Sequence, residues 1–578
     1  MKSRQVGLLC GAALGGIATL LYWAAMRGGF VWDDYVLADG SAIGGGSLGA
    51  CFTTAFLDHY YRPLVSFSFF LDRLWWPNDA AAYHRVGVIL HACSTVAVMG
   101  LLRSAYRRWS IAVAGALLFG VHPAHVGAVA WIGGRTDALG VFWTALFAWG
   151  LIEAATNMGD RRSLALAGSV VAYGLAVFTK EQSLALLPLV PAAFVAFKPR
   201  RGVNLPGTPW FALGPFAVVA AFYLALGVFL GMPKLPPIMT PLWEHAIRVG
   251  QIAAGYGELL LWPTQTILHT YSLARLGEAM PWSAIAGFGL IGATVGGLLW
   301  LWRTDRVSAW FLTLAALALA PVSGVIPMPF LLFAPYRAAV AVIGIAPVLA
   351  RWVLQWQMRT ATMTRLPAMM AVSVLAFWFT VQTLTATRSW ETEDTFFQTM
   401  VHYDPGAAVG RLMLARMAVE RGDDAEAEHQ LAAILSWLYG QDRGRWNWQD
   451  PKQAHEALRR SWRVRAQVMQ DRGAVGEAED YVTMLFVQLG YARLRQNNLS
   501  GASTAFATAL GWRPNEPSAL TGLAWCELSS GRYVEAERHL RTALEADPQM
   551  ADARRLLGYA LEYQGRYAEA QEQWRLLQ

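Results

Sequence analysis

The sequence predicts an all-α chain, a polytopic membrane bundle of about eleven spans followed by a helical solenoid. Three observations predict it. Of 578 residues, 55% are hydrophobic and only 15% charged, with a mean hydropathy of +0.32; an ordinary soluble domain carries roughly 25% charged residues. The apolar residues fall into runs of about 16–22 between residues 6 and 386, most of them able to cross a hydrocarbon core of roughly 30 Å. After residue 386 the runs stop and a 34-residue period takes over. This pattern excludes a soluble enzyme, a disordered chain and a collagen-like chain. The expected division is 1–386 in the membrane and 387–578 outside it.

The expected spans are 6–25, 83–102, 110–130, 138–156, 163–179, 183–198, 209–230, 283–302, 309–327, 336–353 and 367–386. Lys2 and Arg4 precede the first run, and no A-x-A cleavage site follows it, so it reads as a retained span. With Lys2 and Arg4 in the cytoplasm and sides alternating, Arg103, Arg107, Arg108, Arg161, Arg162, Lys198, Arg200, Arg201, Arg303, Arg306, Arg351, Arg359 and Arg365 all fall on the cytoplasmic side. The pattern requires that 246–263, flanked or interrupted by Glu244, His245, Arg248 and Glu258, does not span; it is expected as a re-entrant or interfacial helix. Residues 27–82, 131–137, 180–182, 231–282, 328–335 and the tail then face outward.

The polar motifs gather on that outer face. Asp33 and Asp34 directly follow the first span. A carboxylate there can act as a general base, hold an acceptor hydroxyl or bind a metal; equally, the pair can be a helix N-cap and a first-turn acid. Within His59-Tyr60-Tyr61-Arg62, Arg62 suits a phosphate. His84 and His91 share one face of the second span, either as ligands or as buried hydrogen-bonded side chains. His122 and His125 close the third span, and Gly133-Gly134-Arg135-Thr136-Asp137 follows. An H-x-x-H pair can bind zinc, but no third ligand is adjacent. No metal site or cofactor is therefore assigned, and a divalent ion stays an open alternative. Arg135 and Lys180 suit a phosphate or pyrophosphate, with Glu181 as an alternative ion-pair partner of Lys180. His269, Tyr271 and Arg337 complete the outer set. Transporters concentrate polar groups at the bilayer midplane, so clustering at one face favours an enzyme acting on a lipid headgroup over a flippase.

In the tail, Gly490, Ala524 and Gly558 are equivalent, as are Ala502, Ala536 and Ala570; then Phe506, Leu540 and Trp574; Ala509 and Ala543; Pro514 and Pro548. This is the tetratricopeptide pattern of paired helices whose small residues permit close packing. Three units are clear, the last truncated. Degenerate copies fit Ala415/Ala427/Leu431 and Ala466/Ala478, and Phe397 with Pro405 reads as half a unit. Trp437–Trp448 reads as an insertion. Such a solenoid either offers a concave surface to a protein or peptide, or serves as a packing scaffold without catalysis.

The net charge of +7 is no nucleic-acid signal, because many arginines sit at helix ends. The four cysteines form no pair motif. Only five of the 47 Lys+Arg are lysine, as in a GC-rich bacterial genome, which points to a bacterial inner membrane with a periplasmic tail.

The ordered set Trp32-Asp33-Asp34, Tyr61-Arg62-Pro63-Leu64, Tyr83-His84, His91-Ala92, His122-Pro123-Ala124-His125, Gly134-Arg135-Thr136-Asp137 and Lys180-Glu181, followed by tetratricopeptide repeats, resembles the transmembrane-and-TPR O-mannosyltransferases and their bacterial relatives. These lie within the C-type glycosyltransferase superfamily. The resemblance implies a polyprenyl-phosphate sugar donor, inversion at the anomeric carbon, and repeats that hold a protein acceptor or alternatively a partner of the enzyme. It implies an acidic base at Asp33 or Asp34, with a slight preference for Asp34. It implies that Arg135, Lys180 and Arg337 bind the donor phosphate; the residues themselves add Arg62 to that set and His59, His84, His122, His125, Asp137, Glu181, His269 and Tyr271 as a supporting pocket. Where the family often has an acid before the last arginine, this chain has Tyr336.

Overall fold

The computed structural model describes the chain apart from residues 1, 42–46, 58–59, 198–207, 232–241, 270–280, 326–332, 360–365, 406, 440–474 and 578. Among the described residues there is no β-strand, and a single antiparallel bridge joins Phe56 and Tyr60. Two compact units divide the chain, one of Met1–Leu235 with Pro241–Asp404, the other running from Pro405 to Gln578.

In the first unit six helices are long and apolar enough to cross a membrane: Ala80–Tyr106, Arg135–Thr156, Asp160–Thr179, Trp282–Thr304, Pro335–Gln355 and Pro367–Arg388. A seventh candidate is bent by 49° between Trp109–Gly120 and Pro123–Val129. Pro123 causes the break, because it has no N–H to continue the helix. Four more apolar helices, Gln5–Leu21, Glu181–Ala196, Leu213–Phe229 and Arg306–Val322, are shorter than the roughly 20 residues of a straight span. The second of these opens as a 3-10 stretch, Glu181–Leu186, and the last closes as one at Ala320–Val322, where Pro321 interrupts the ladder. The apolar segments thus fall where the sequence puts them, but several are broken rather than continuous. An integral membrane protein follows from this composition.

Segment 246–263 lies in a 20-residue helix, Leu242–Leu261. It crosses Pro281–Thr304 at glycines: a Cβ on Gly287 would fall 1.7 Å from the Gly250 carbonyl oxygen. Backbones so close leave room for no side chain.

The second unit stacks helix pairs: Ala408–Arg421 with Asp424–Tyr439, Val475–Arg495 with Leu499–Trp512, Pro517–Ser529 with Tyr533–Ala546, and Ala551–Tyr563 with Tyr567–Arg575. The repeat positions explain the packing. A Cβ on Gly490 would meet the Phe506 ring at 2.5 Å, and one on Gly558 would meet Trp574 at 2.0 Å. Ala502, Ala536, Ala570, Ala509 and Ala543 are fully buried. The degenerate unit forms too, with Ala415, Ala427 and Leu431 buried. Ala466, Trp446 and Trp448 lie outside the described residues. The half unit expected at Phe397 and Pro405 is divided: the helix Glu393–Tyr403 belongs to the first unit, with Phe396 and Phe397 buried, and Pro405 opens the second.

Candidate active site

The loop that follows the first apolar helix starts at Gly28-Gly29. His84, one turn into its helix, lies 3.0 Å from the Gly29 carbonyl, to which its Nε2–H donates. Trp32 then takes a left-handed conformation, φ 60. This reversal sends the two following carboxylates to different places. Asp34 is buried and tied on both oxygens: Val31 N–H donates to Oδ2 and Gly133 N–H to Oδ1, each at 2.9 Å. It therefore clasps the loop to the Gly133-Gly134 turn, where a Cβ on Gly134 would overlap the Gly127 carbonyl at 2.0 Å. Asp33 stands at the N-cap of Asp34–Ala38 but makes no side-chain cap bond. Its Oδ1 is buried with no hydrogen-bond partner among the described residues. Burial pushes its carboxyl up to about 6, and that of Asp34 up to about 8. Buried unpaired polar atoms in native proteins call for an explanation, and a catalytic role is one of those they have.

Around Asp33 lies an aromatic stack that the sequence did not flag. Trp32 stacks on Trp131 at 5.8 Å and 19°, and Trp131 stacks on Trp390 at 5.7 Å and 22°. Phe396 touches Trp32 and Trp390, and Tyr336 leans on Trp131 at 5.4 Å. Tyr336 thus fills with an aromatic ring the position where an acid was expected.

Behind it lie two adjacent ion pairs. Lys180 Nζ donates to Asp137 Oδ1 at 2.6 Å. Arg62 holds Glu181 in bidentate fashion, Nε to Oε2 at 3.0 Å and a terminal NH2 to Oε1 at 2.6 Å, with its guanidinium 3.9 Å from the Tyr60 ring centroid. Arg337 is buried beside Tyr336 and Tyr256 and acts electrostatically on Lys180. Arg62, Lys180 and Arg337 therefore converge, as the sequence expects of a phosphate site.

Arg135 does not join them. Its guanidinium is paired with Asp72, donates to the Tyr83 carbonyl at 2.8 Å and stacks on Phe69 at 4.5 Å, at 1% exposure. It braces the core formed by Leu37, Phe56, Val65, Phe69, Tyr83 and Ile132. The geometry describes Arg135 as a core strut rather than a phosphate ligand, on its packing at 1% exposure and not on its ion pair, which Arg62 and Lys180 match with their own; its Nε–H is buried with no hydrogen-bond partner among the described residues. Asp72 was missed, although a lone acid in the apolar helix Pro63–Trp75 had to have a partner.

The histidines also face inward. His122 uses both nitrogens: Nδ1 accepts from Ala124 N–H and Nε2 donates to the Leu260 carbonyl, both at 3.2 Å. His91 Nε2 donates to the Gly120 carbonyl at 2.9 Å. The His125 ring packs 4.8 Å from that of His91 and 4.6 Å from that of Phe119. Of the two readings, backbone ties rather than ligands describe His84, His91 and His122. His269 is buried and stacks on Tyr403 at 5.1 Å. His59 and Tyr271 lie outside the described residues. Among the described residues no three His, Cys, Asp or Glu side chains gather as metal ligands.

Comparison with known proteins gives the same direction. The chain is similar to the protein O-mannosyl-transferases. It is 36% identical to protein O-mannosyl-transferase Tmtc1 of Drosophila melanogaster over 138 residues, 22% of this chain and 16% of that one. It is 34% identical to mouse (Mus musculus) TMTC1 over 22% of this chain and 15% of the relative, and 27% identical to human (Homo sapiens) TMTC3 over 33% and 22%. The match thus spans less than a quarter of each of these relatives. In the tail, residues 487–537 and 527–573 match tetratricopeptide repeat families. The crystal structure of the APC/C hetero-tetramer Cut9-Hcn1 aligns with 89% of this chain and 99% of that chain at 12% identity, with a TM-score of 0.17.

Proposed function

We propose that this chain is a membrane glycosyltransferase that moves a sugar from a polyprenyl-phosphate donor to a hydroxyl of a protein acceptor, with inversion. The similar proteins are named for protein O-mannosyl transfer, and mannose is accordingly the sugar we propose. Residues 1–386 form the transferase domain, in a bacterial inner membrane with its site on the periplasmic face. The repeats, which begin beyond Pro405, hold the acceptor.

Asp33 is the base. The observation that carries this assignment is its buried, unpartnered Oδ1, next to a neighbour whose two oxygens are already occupied. As the acceptor oxygen bonds to the anomeric carbon, its proton passes to Asp33. The bond from that carbon to the phosphate oxygen breaks, and the electron pair leaves with the polyprenyl phosphate. Arg62, Lys180 and Arg337 stabilise the departing charge. Asp137 and Glu181 hold the first two cations ready, and Asp34 keeps the loop in place.

The test is transfer from a short-chain polyprenyl-phosphate mannose by purified full-length protein, with released mannose as the reading when acceptor is absent. Donor consumption that requires Asp33, and whose donor KM rises in Lys180→Met, supports the reading. Consumption unaffected by either change would overturn it.

A further inference from the structure

The stretch joining the last span to the tail forms a wall beside Asp33. Gly29 N–H donates to the Glu391 carbonyl at 3.1 Å. A Cβ on Gly28 would stand 3.3 Å from the Trp390 carbonyl oxygen and 3.1 Å from His84 Nε2, so the loop runs tight against this stretch. Trp390 and Phe396 are each 1% exposed. Their rings lie 4.4 Å apart, and between them they contact both Trp131 and Trp32.

Trp32 is the joint. A left-handed conformation is strained for a residue with a Cβ, and such strain persists only where the surroundings over-determine it. Here Trp131 holds the Trp32 ring at 5.8 Å and Phe396 holds it at 5.8 Å. Releasing either support lets Trp32 relax, and Asp33 is the next residue.

We propose that Phe396 and Trp390 are positioning residues for Asp33, acting through Trp32, so that the first helix beyond the last span is part of the active site. This rests on Asp33 as the base. The helix Glu393–Tyr403 is built to hold its place: Thr392 and Thr395 form a reciprocal cap at its start, and Tyr403 stacks on His269 at its end.

The experiment measures donor hydrolysis by the full chain, with short-chain polyprenyl-phosphate mannose, across pH. Phe396→Leu is expected to lower kcat about tenfold, since misplacement by an ångström can cost up to about a hundredfold, with donor KM within about twofold. The acidic limb of the pH profile should move downward as water reaches Asp33 and relieves its burial. Phe396→Tyr should restore both. A wild-type kcat in Phe396→Leu, or a loss with an unmoved limb and no rescue by tyrosine, overturns the proposal. If Phe396→Leu does not purify as a monodisperse protein, Trp390→Phe is read by the same criteria. Asp33→Asn runs alongside: full activity there would sink the base assignment itself, whereas a dead Asp33→Asn beside a normal Phe396→Leu sinks only the positioning role.

Discussion

Consider Asp33→Asn in the full chain, beside Asp34→Asn. Burial lifts the Asp33 carboxyl from an ordinary 3.8 to about 6. At 1.36 kcal/mol per pH unit, that rise is about 3 kcal/mol of destabilisation of the ionised form in the folded state. The sign follows from linkage: the cost is complete above the folded value, where Asp33 is charged in both states, and vanishes below the unfolded one. Asp33→Asn should therefore raise stability by up to about 3 kcal/mol near neutral pH, with the gain shrinking as pH falls from about 6 toward 4. Its transferase rate should fall about 10²–10⁴-fold, the usual contribution of a general base. Asp34→Asn combines two opposed effects: it relieves the burial cost of a carboxyl lifted to about 8, and it removes an acceptor. An amide keeps one acceptor, so of the Val31 and Gly133 N–H donors one is left buried and unpaired, at a cost of about 1–3 kcal/mol. Thermal unfolding at about pH 8 and about pH 5, with donor consumption on the same samples, reads both variants. Asp33→Asn with a wild-type rate, or Asp34→Asn with the larger loss of rate in a folded protein, would refute the division of labour.

Arg135→Ala strands Asp72 in the core and should cost about 3–5 kcal/mol of stability; the protein that remains folded should keep its donor KM, and a raised KM would return Arg135 to the phosphate. Arg62→Lys keeps the charge but loses the fork that grips Glu181; donor KM should rise severalfold with stability nearly unchanged, and an unchanged KM would remove Arg62 from the site. Gly558→Ala drives a methyl into Trp574 and should destabilise the chain by about 1–3 kcal/mol, read as a lower unfolding midpoint; the same change at Gly565, where φ is +78 and no atom stands within 4 Å, should act through backbone strain alone.

Part of the site was legible because its residues are short-range landmarks. Asp33, Asp34, Arg62, Lys180 and Arg337 are polar residues at the ends of apolar runs, where charge is costly and has a reason. What that rule does not sort is use. Adjacent carboxylates differ by a single reversal at Trp32, and nothing in Trp32-Asp33-Asp34 announces a positive φ. Arg135 and Arg62 look alike in sequence, yet one meets a buried acid from Pro63–Trp75 and the other faces a glutamate beside Lys180. The aromatic stack was invisible because tryptophan is also what a membrane interface selects, so Trp131 and Trp390 carried no distinguishing mark.

By itself the sequence determined the class of fold, since both signals behind it are local. A bilayer of fixed thickness demands apolar runs of fixed length. A solenoid demands the same small residues every 34 positions, as Gly490, Ala524 and Gly558 supply. The tertiary structure alone decided which carboxylate is unpartnered, which arginine is a strut, and that residues 390–396 lie against residues 29–32. Those are outcomes of long-range pairing. Each buried charge or ring takes the partner that packing brings to it, and that partner comes from elsewhere in the chain, 63 residues away for Arg135 and 99 for the Asp34 clasp.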